Sequence, residues 1–107
     1  MAAKLKPGAE LYRATLEKWG EEAQYDQAVE ECAELIACLK HFKRNKVGDD
    51  RIVDELADVT LMVGQLTWMF GPDRVEQAIE RKLEKLRNLL DEPVLDEYPL
   101  SKEEEET

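Results

Sequence analysis

The feature that constrains the fold most is an apolar pattern of helical period across residues 22–42. Its apolar side chains recur every three or four residues, which places them along one face of an α-helix. The members of this pattern are Tyr25, Ala28, Cys32, Leu35, Ile36 and Leu39. The chain shows no convincing alternation of apolar and polar residues, the pattern typical of a half-buried strand. The sequence therefore predicts an all-α protein.

Three breaks divide the chain into four predicted helices. Gly20 ends the first helix, a basic loop at residues 43–48 ends the second, and Gly71 ends the third. We expect Asp49 or Asp50 to cap the third helix, because these residues favour the N-cap position. The predicted helices cover residues 8–19, 22–42, 49–70 and 72–90.

Length places these helices in one domain. A chain of 107 residues buries a smaller share of its surface than a larger protein does, so packing against another copy would help to complete its core. We expect a four-helix, bundle-forming single domain over residues 1–92, followed by an acidic C-terminal tail over residues 93–107. We also expect a homodimer, or a dimer of dimers.

Net charge and apolar run lengths exclude several classes of partner. The chain carries 25 Asp plus Glu against 15 Lys plus Arg, a formal charge of −10, whereas a nucleic-acid binder needs a basic face. Its longest uncharged run, residues 59–72, is shorter than the ~20 residues of a membrane helix. We expect Cys32 and Cys38 to be small, reduced core residues, which fits a reducing compartment. We expect a cytoplasmic protein that binds neither nucleic acid nor membrane.

Acidic residues cluster at helical spacing on two of the predicted helices. Glu31 and Glu34 in EECAE are three apart, as are Glu55 and Asp58 in ELAD, so each pair shares a helix face. Like charges at this spacing destabilise a helix by ~0.2–0.5 kcal/mol per pair, and a divalent cation would offset that repulsion. Mg²⁺ favours oxygen ligands and is held by a few carboxylates together with substrate phosphates. The two pairs therefore predict a carboxylate cage for Mg²⁺.

The two acidic segments also resemble a known family. EECAE matches the pattern EExxE, and ELAD, twenty residues further on, matches ExxD. Together they are similar to the signature of the MazG-like, all-α nucleoside triphosphate pyrophosphohydrolases, and the resemblance covers roughly residues 20–90. It implies hydrolysis of a nucleoside triphosphate to the monophosphate and pyrophosphate, with Mg²⁺ or Mn²⁺ as cofactor, in homo-oligomers that clean or adjust the nucleotide pool.

The resemblance also implies roles for individual residues. It makes Glu31, Glu34, Glu55 and Asp58 the metal ligands, and Glu30 the acid that positions or deprotonates the attacking water. Lys82 and Lys85 are candidates for contacts with the substrate phosphates, although they are equally typical of an exposed, charged helix face. From residue type alone, and not from the resemblance, Trp19 is a candidate to stack on the nucleobase and Gln27 to contact its edge, although an aromatic at helical spacing is also typical of a core.

Two rival functions use the same acidic residues. A di-iron helical bundle also takes carboxylates from paired helices, but it needs Glu-x-x-His motifs, and the single histidine, His41, does not follow a glutamate by three residues. The other rival is a non-catalytic helical interaction module whose acidic face binds a basic partner. That module would show no turnover that depends on Mg²⁺.

Overall fold

A computed structural model of the protein describes residues 8–91. These residues form three helices: α1 (Ala9–Lys43), α2 (Asp49–Phe70) and α3 (Pro72–Asp91). No strand occurs among them, which confirms the all-α prediction for this part of the chain. None of the three helices combines the length and apolarity needed to cross a membrane. The predicted acidic tail at residues 93–107 lies outside the described residues.

The expected four-helix count is not confirmed, because the first two predicted helices form the single helix α1. Gly20, where a boundary was expected, has a non-helical backbone, with φ 89° and ψ 170°, and divides α1 into two helical segments across a kink. This backbone conformation is almost restricted to glycine, because a side chain at Cβ would clash with the backbone. The sequence signal at Gly20 thus marks a sharp bend in the chain.

Replacing Gly20 by alanine should destabilise the protein by about 1–3 kcal/mol, the cost of holding a non-glycine residue in this conformation. The space around Gly20 is open to a Cβ atom, so the cost comes from the backbone alone. Gly48→Ala is the control for a glycine with ordinary backbone: Gly48 has φ −85° and open space around it, so its loss should come only from alanine being a poorer N-cap, about 0.5–1 kcal/mol. Denaturant unfolding should show a loss in Gly20→Ala well beyond that in Gly48→Ala; equal changes would contradict the strain at Gly20.

The described residues belong to two compact units that divide after Pro72. The first contains α1 and α2, which pack antiparallel: Glu34 lies near Glu55, while Tyr25, earlier in α1, contacts Phe70, later in α2, with ring centroids 6.1 Å apart. The second unit contains α3, which has no buried residue.

The segment of α1 before the kink is fixed to α2 by polar contacts. The Thr15 hydroxyl donates a hydrogen bond to Gln65 Oε1 (2.7 Å), and Gln65 Nε2 donates to the Tyr12 carbonyl oxygen (3.0 Å). Gln24 Nε2, from beyond the kink, donates to the Thr15 carbonyl oxygen (3.3 Å). Gln24 and Gln65 are both buried. These bonds fold the start of α1 back beside its own continuation, which shapes a cavity described below.

The turn after α1 explains how the helix ends. Asn45 has a positive φ of 61°, and Lys46 N–H donates to the His41 carbonyl oxygen while Asn45 N–H donates to that of Phe42, as in a Schellman motif. The expected cap at Asp49 or Asp50 was wrong, since Gly48 occupies the N-cap position and both aspartates lie in the first turn of α2. In that turn their negative charges interact favourably with the positive end of the helix dipole.

Candidate metal centre

Four carboxylates converge where α1 and α2 pack together. Each of Glu31, Glu34, Glu55 and Asp58 offers one oxygen, and these four oxygens lie within 4.8 Å of one another. Two come from EECAE on α1 and two from ELAD on α2, so the antiparallel packing joins motifs that are twenty residues apart in sequence. This group of acidic residues could hold a metal ion.

Two oxygens of the cluster are buried without a hydrogen-bond partner. Glu55 is only 6% exposed. Its Oε1 and the Oε1 of Glu31 are both buried and have no hydrogen-bond partner. The other oxygen of each residue is bonded: Glu31 Oε2 accepts from Gln27 Nε2 (2.7 Å), and Glu55 Oε2 accepts from Arg51 Nη2 (3.4 Å). A buried unsatisfied polar atom costs about 1–3 kcal/mol, and more for a charged group. Both of these oxygens are available as ligands for a cation.

Electrostatic repulsion acts between the carboxylates of the cluster. The negative charge of Glu31 is the largest cause of a raised pKa at Glu34. Burial adds to the rise, as do the charges of Glu55, Glu30 and Asp58. These carboxylates therefore repel one another, and a bound cation would offset that repulsion.

This repulsion predicts how the stability of the metal-free protein depends on pH. The folded state holds the Glu34 proton more tightly than the unfolded chain, whose carboxyl titrates near 4.5. Between 4.5 and the raised pKa the folded state thus binds more protons, so this group makes stability fall as the pH rises. Denaturant unfolding in chelator across this range should show a smaller loss in Glu34→Gln. The matched variant Asp26→Asn, exposed on α1, should keep the parent's pH slope; an unchanged slope in Glu34→Gln would contradict the repulsion.

A cavity of about 430 Å³ lies beside the cluster, on the side of the kink. Its wall includes Tyr12, Trp19, Gln24 and Gln27, and Trp19 is 60% exposed. Gln27 connects the two features, because the same side chain lines the cavity and donates to Glu31. We call this space the Trp19 cavity.

The sequence predictions for this region have different outcomes. The structure brings together the four predicted metal ligands, and it places Gln27 and Trp19 in the wall of the adjacent cavity. Glu30 is exposed on α1 and close enough to help raise the pKa of Glu34. Lys82 and Lys85 are exposed on α3, in the second compact unit, and their predicted phosphate contacts stay a prediction.

Sequence reasoning missed Arg51 and Tyr12 and set His41 aside. Arg51 pairs with a cluster carboxylate, Glu55, and His41 lines a second cavity with it. The four-residue spacing of Arg51 and Glu55 on one helix was a usable signal. The position of Tyr12 next to Gly64 had no such signal in the sequence, because it depends on the kink.

The chain matches no protein-family model, no curated protein and no solved structure.

Proposed function

We propose that the protein is a MazG-like nucleoside triphosphate pyrophosphohydrolase that uses a divalent cation. The observation that carries the proposal is the convergence of EECAE and ELAD in one cluster, two oxygens of which are buried without a partner. If these residues formed an ordinary acidic helix edge in solvent, water would hydrate their carboxylates, and no oxygen would be buried without a hydrogen-bond partner. A triphosphate can reach such a cluster in an acidic protein because the cation offsets part of the negative charge and itself binds phosphate oxygens.

The donor set favours Mg²⁺, with Mn²⁺ as an alternative. All four candidate ligands are carboxylates, the ligand type that suits hard cations rather than Zn²⁺ or copper. When bound, the cation would neutralise charge on the phosphate oxygens and lower the pKa of a coordinated water. Glu31, Glu34, Glu55 and Asp58 would hold it.

The other residues have roles in binding and proton transfer. Hydrolysis adds water across the bridge between the α and β phosphates. The water oxygen bonds to the α phosphorus, the bond from that phosphorus to the bridging oxygen breaks, and pyrophosphate leaves with the bridging oxygen. Glu30 is the candidate to orient the water and accept its proton. Trp19 would stack on the base and Gln27 would hold the nucleoside beside Glu31. Lys82 and Lys85 remain candidates for phosphate contacts, on the family resemblance alone.

We further propose that two copies of the chain associate, as a dimer or a dimer of dimers. Among residues 8–91 no large side chain is fully buried. Each of α1 and α2 carries an exposed, uncharged stripe away from the acids, which we call the apolar stripes. Their residues are Val29, Cys32, Ile36 and Leu39 on α1, and Val53, Leu56, Thr60 and Val63 on α2. An uncharged face lets an acidic chain pair with its own copy without bringing like charges together.

The variant Ile36→Glu tests this assembly. Ile36 is 59% exposed, so the substitution costs the isolated chain little, but in a symmetric pair it brings two like charges into an apolar contact. We expect sedimentation to show an oligomer for the parent and a large shift towards monomer for Ile36→Glu. Ala14→Glu, on an exposed position of α1 outside the stripe, should sediment as the parent does. A parent that is a folded monomer at micromolar concentration would refute the association.

A panel of normal and modified nucleoside triphosphates, incubated with Mg²⁺ and assayed separately for pyrophosphate and orthophosphate, tests the proposed activity. We expect pyrophosphate from at least one triphosphate, and none in chelator. The alternative function is the non-catalytic interaction module, whose support is the overall acidity of the chain. Failure to release pyrophosphate from every member of the panel, with metal bound, would favour that module.

A further inference from the structure

A second cavity lies on the other side of the carboxylate cluster. Its volume is about 470 Å³, and Cys38, His41 and Arg51 line it together with the cluster residues Glu34 and Glu55. We call it the Arg51 basin. It is formed by the last turns of α1 and the first turns of α2, whereas the Trp19 cavity lies beside the kink. The carboxylate cluster thus contacts both spaces, through Gln27 on one side and through its own side chains on the other.

The two cavities differ in chemistry. The Trp19 cavity has no charged residue in its wall and is built from aromatic, apolar and amide side chains. The Arg51 basin opens within the basic part of the chain. Residues 40–51 contain five Lys or Arg against two Asp, a formal charge of +3 in a chain of −10. The wall of the basin itself carries Arg51 against Glu34 and Glu55, so an anion enters it once a cation offsets the carboxylates, whereas a planar, uncharged ring suits the Trp19 cavity.

Arg51 is placed to bind an anion there. Its only described ion pair is a long one, 3.4 Å from Nη2 to Glu55 Oε2, and its side chain is 58% exposed. A guanidinium has five N–H donors in a fixed fork, which matches two phosphate oxygens at once. A single contact with Glu55 leaves donors for a phosphate at the mouth of the basin. His41, which also lines the basin, can donate one more hydrogen bond.

We propose that the Arg51 basin binds the pyrophosphate portion of the substrate, with Arg51 and His41 as its protein contacts. The nucleoside then lies in the Trp19 cavity, and the scissile bridge lies over the carboxylates between them. This inference rests on the proposed function for the identity of the ligand. It assigns Arg51 and His41 to the leaving group, and so the two cavities separate the two products.

Calorimetric titration with inorganic pyrophosphate in the presence of Mg²⁺ tests the assignment. Arg51→Gln should weaken pyrophosphate binding about tenfold or more, the factor expected for one charge-assisted hydrogen bond, and His41→Gln should weaken it less. Nucleoside monophosphate should bind Arg51→Gln as tightly as the parent. The matched control Arg44→Gln removes the same charge from the same basic segment but outside the basin wall, and should keep most of the pyrophosphate affinity.

The cation affinity of each variant must be measured in the same series, because Arg51 also contacts Glu55. Loss of a positive charge there should leave cation affinity equal or higher; a lower affinity would place the effect in the metal centre and overturn the assignment. Equal pyrophosphate affinity in Arg51→Gln and parent, or an equal loss in Arg44→Gln, would also overturn it. Pyrophosphate affinity, and not hydrolysis, is the readout: a chain that binds pyrophosphate in this way but cleaves no triphosphate refutes the proposed function alone, and a chain that cleaves triphosphate but keeps its pyrophosphate affinity in Arg51→Gln refutes the basin alone.

Discussion

Replacing Glu55 by glutamine is expected to lower kcat/KM for triphosphate hydrolysis about a hundredfold or more, the size of effect seen when one electrostatic group is removed from an active site. Glu55 is the most buried of the four carboxylates and has an oxygen without a partner, so glutamine would keep its shape and remove the charge that a cation needs. Steady-state kinetics with saturating Mg²⁺ gives the comparison. Asp26→Asn, the exposed control on α1, should stay close to the parent.

Glu30→Gln should separate a proton acceptor from a metal ligand within the same motif. If Glu30 orients and deprotonates the water, its loss lowers kcat while the metal-dependent gain in stability stays that of the parent. A Glu55→Gln enzyme that retains the parent's kcat/KM would contradict the assignment of this cluster as the active site. A Glu30→Gln enzyme that loses its response to metal would move Glu30 into the ligand set.

The second large effect is on stability and needs no substrate. Divalent cation at a hundredfold above its Kd should stabilise the parent by about 2.7 kcal/mol, which corresponds to roughly 10 °C or more in Tm for a domain of this size. Variants of the cluster should gain much less. In chelator, Glu34→Gln and Asp58→Asn should be as stable as the parent or more stable, because each removes part of the mutual repulsion.

The comparison that matters in these thermal melts is between metal and matched ionic strength. A monovalent salt screens charges in parent and variants alike, so it cannot reproduce a response confined to proteins with all four carboxylates. Asp26→Asn should respond to Mg²⁺ or Mn²⁺ as the parent does. The same metal response in the parent and in every cluster variant would mean that EECAE and ELAD are ordinary exposed helix edges.

The carboxylate cluster could be predicted from the sequence because it depends on two local facts. Residues three apart on a helix share a face, which pairs Glu31 with Glu34 and Glu55 with Asp58, and a short loop at residues 44–48 brings consecutive helices together. The end of α1 was equally local: Asn45 adopts the left-handed conformation that this residue tolerates. Each of these features is determined within a few residues of chain.

The kink and the cavities could not be predicted in the same way. Gly20 indicated a helix end, and sequence alone does not distinguish an end from a bend that folds the chain back. Two of the bonds that fix this bend join residues about fifty positions apart, Thr15 with Gln65 and Tyr12 with Gln65. The Trp19 cavity follows from that long-range packing, and the Arg51 basin follows from the antiparallel packing of α1 on α2. The sequence gives the identities of the residues that line these cavities, but not the cavities themselves.

Electron paramagnetic resonance of Mn²⁺ measures directly whether the four carboxylates together bind a divalent cation. Binding removes the sharp spectrum of the free ion, so a titration gives the affinity and the number of ions per chain without substrate. We expect the parent and Asp26→Asn to bind Mn²⁺ alike, Mg²⁺ to compete for the same place, and Glu55→Gln to bind far more weakly. Equal Mn²⁺ binding by the parent and Glu55→Gln would contradict the claim, as would a parent that leaves all the Mn²⁺ free.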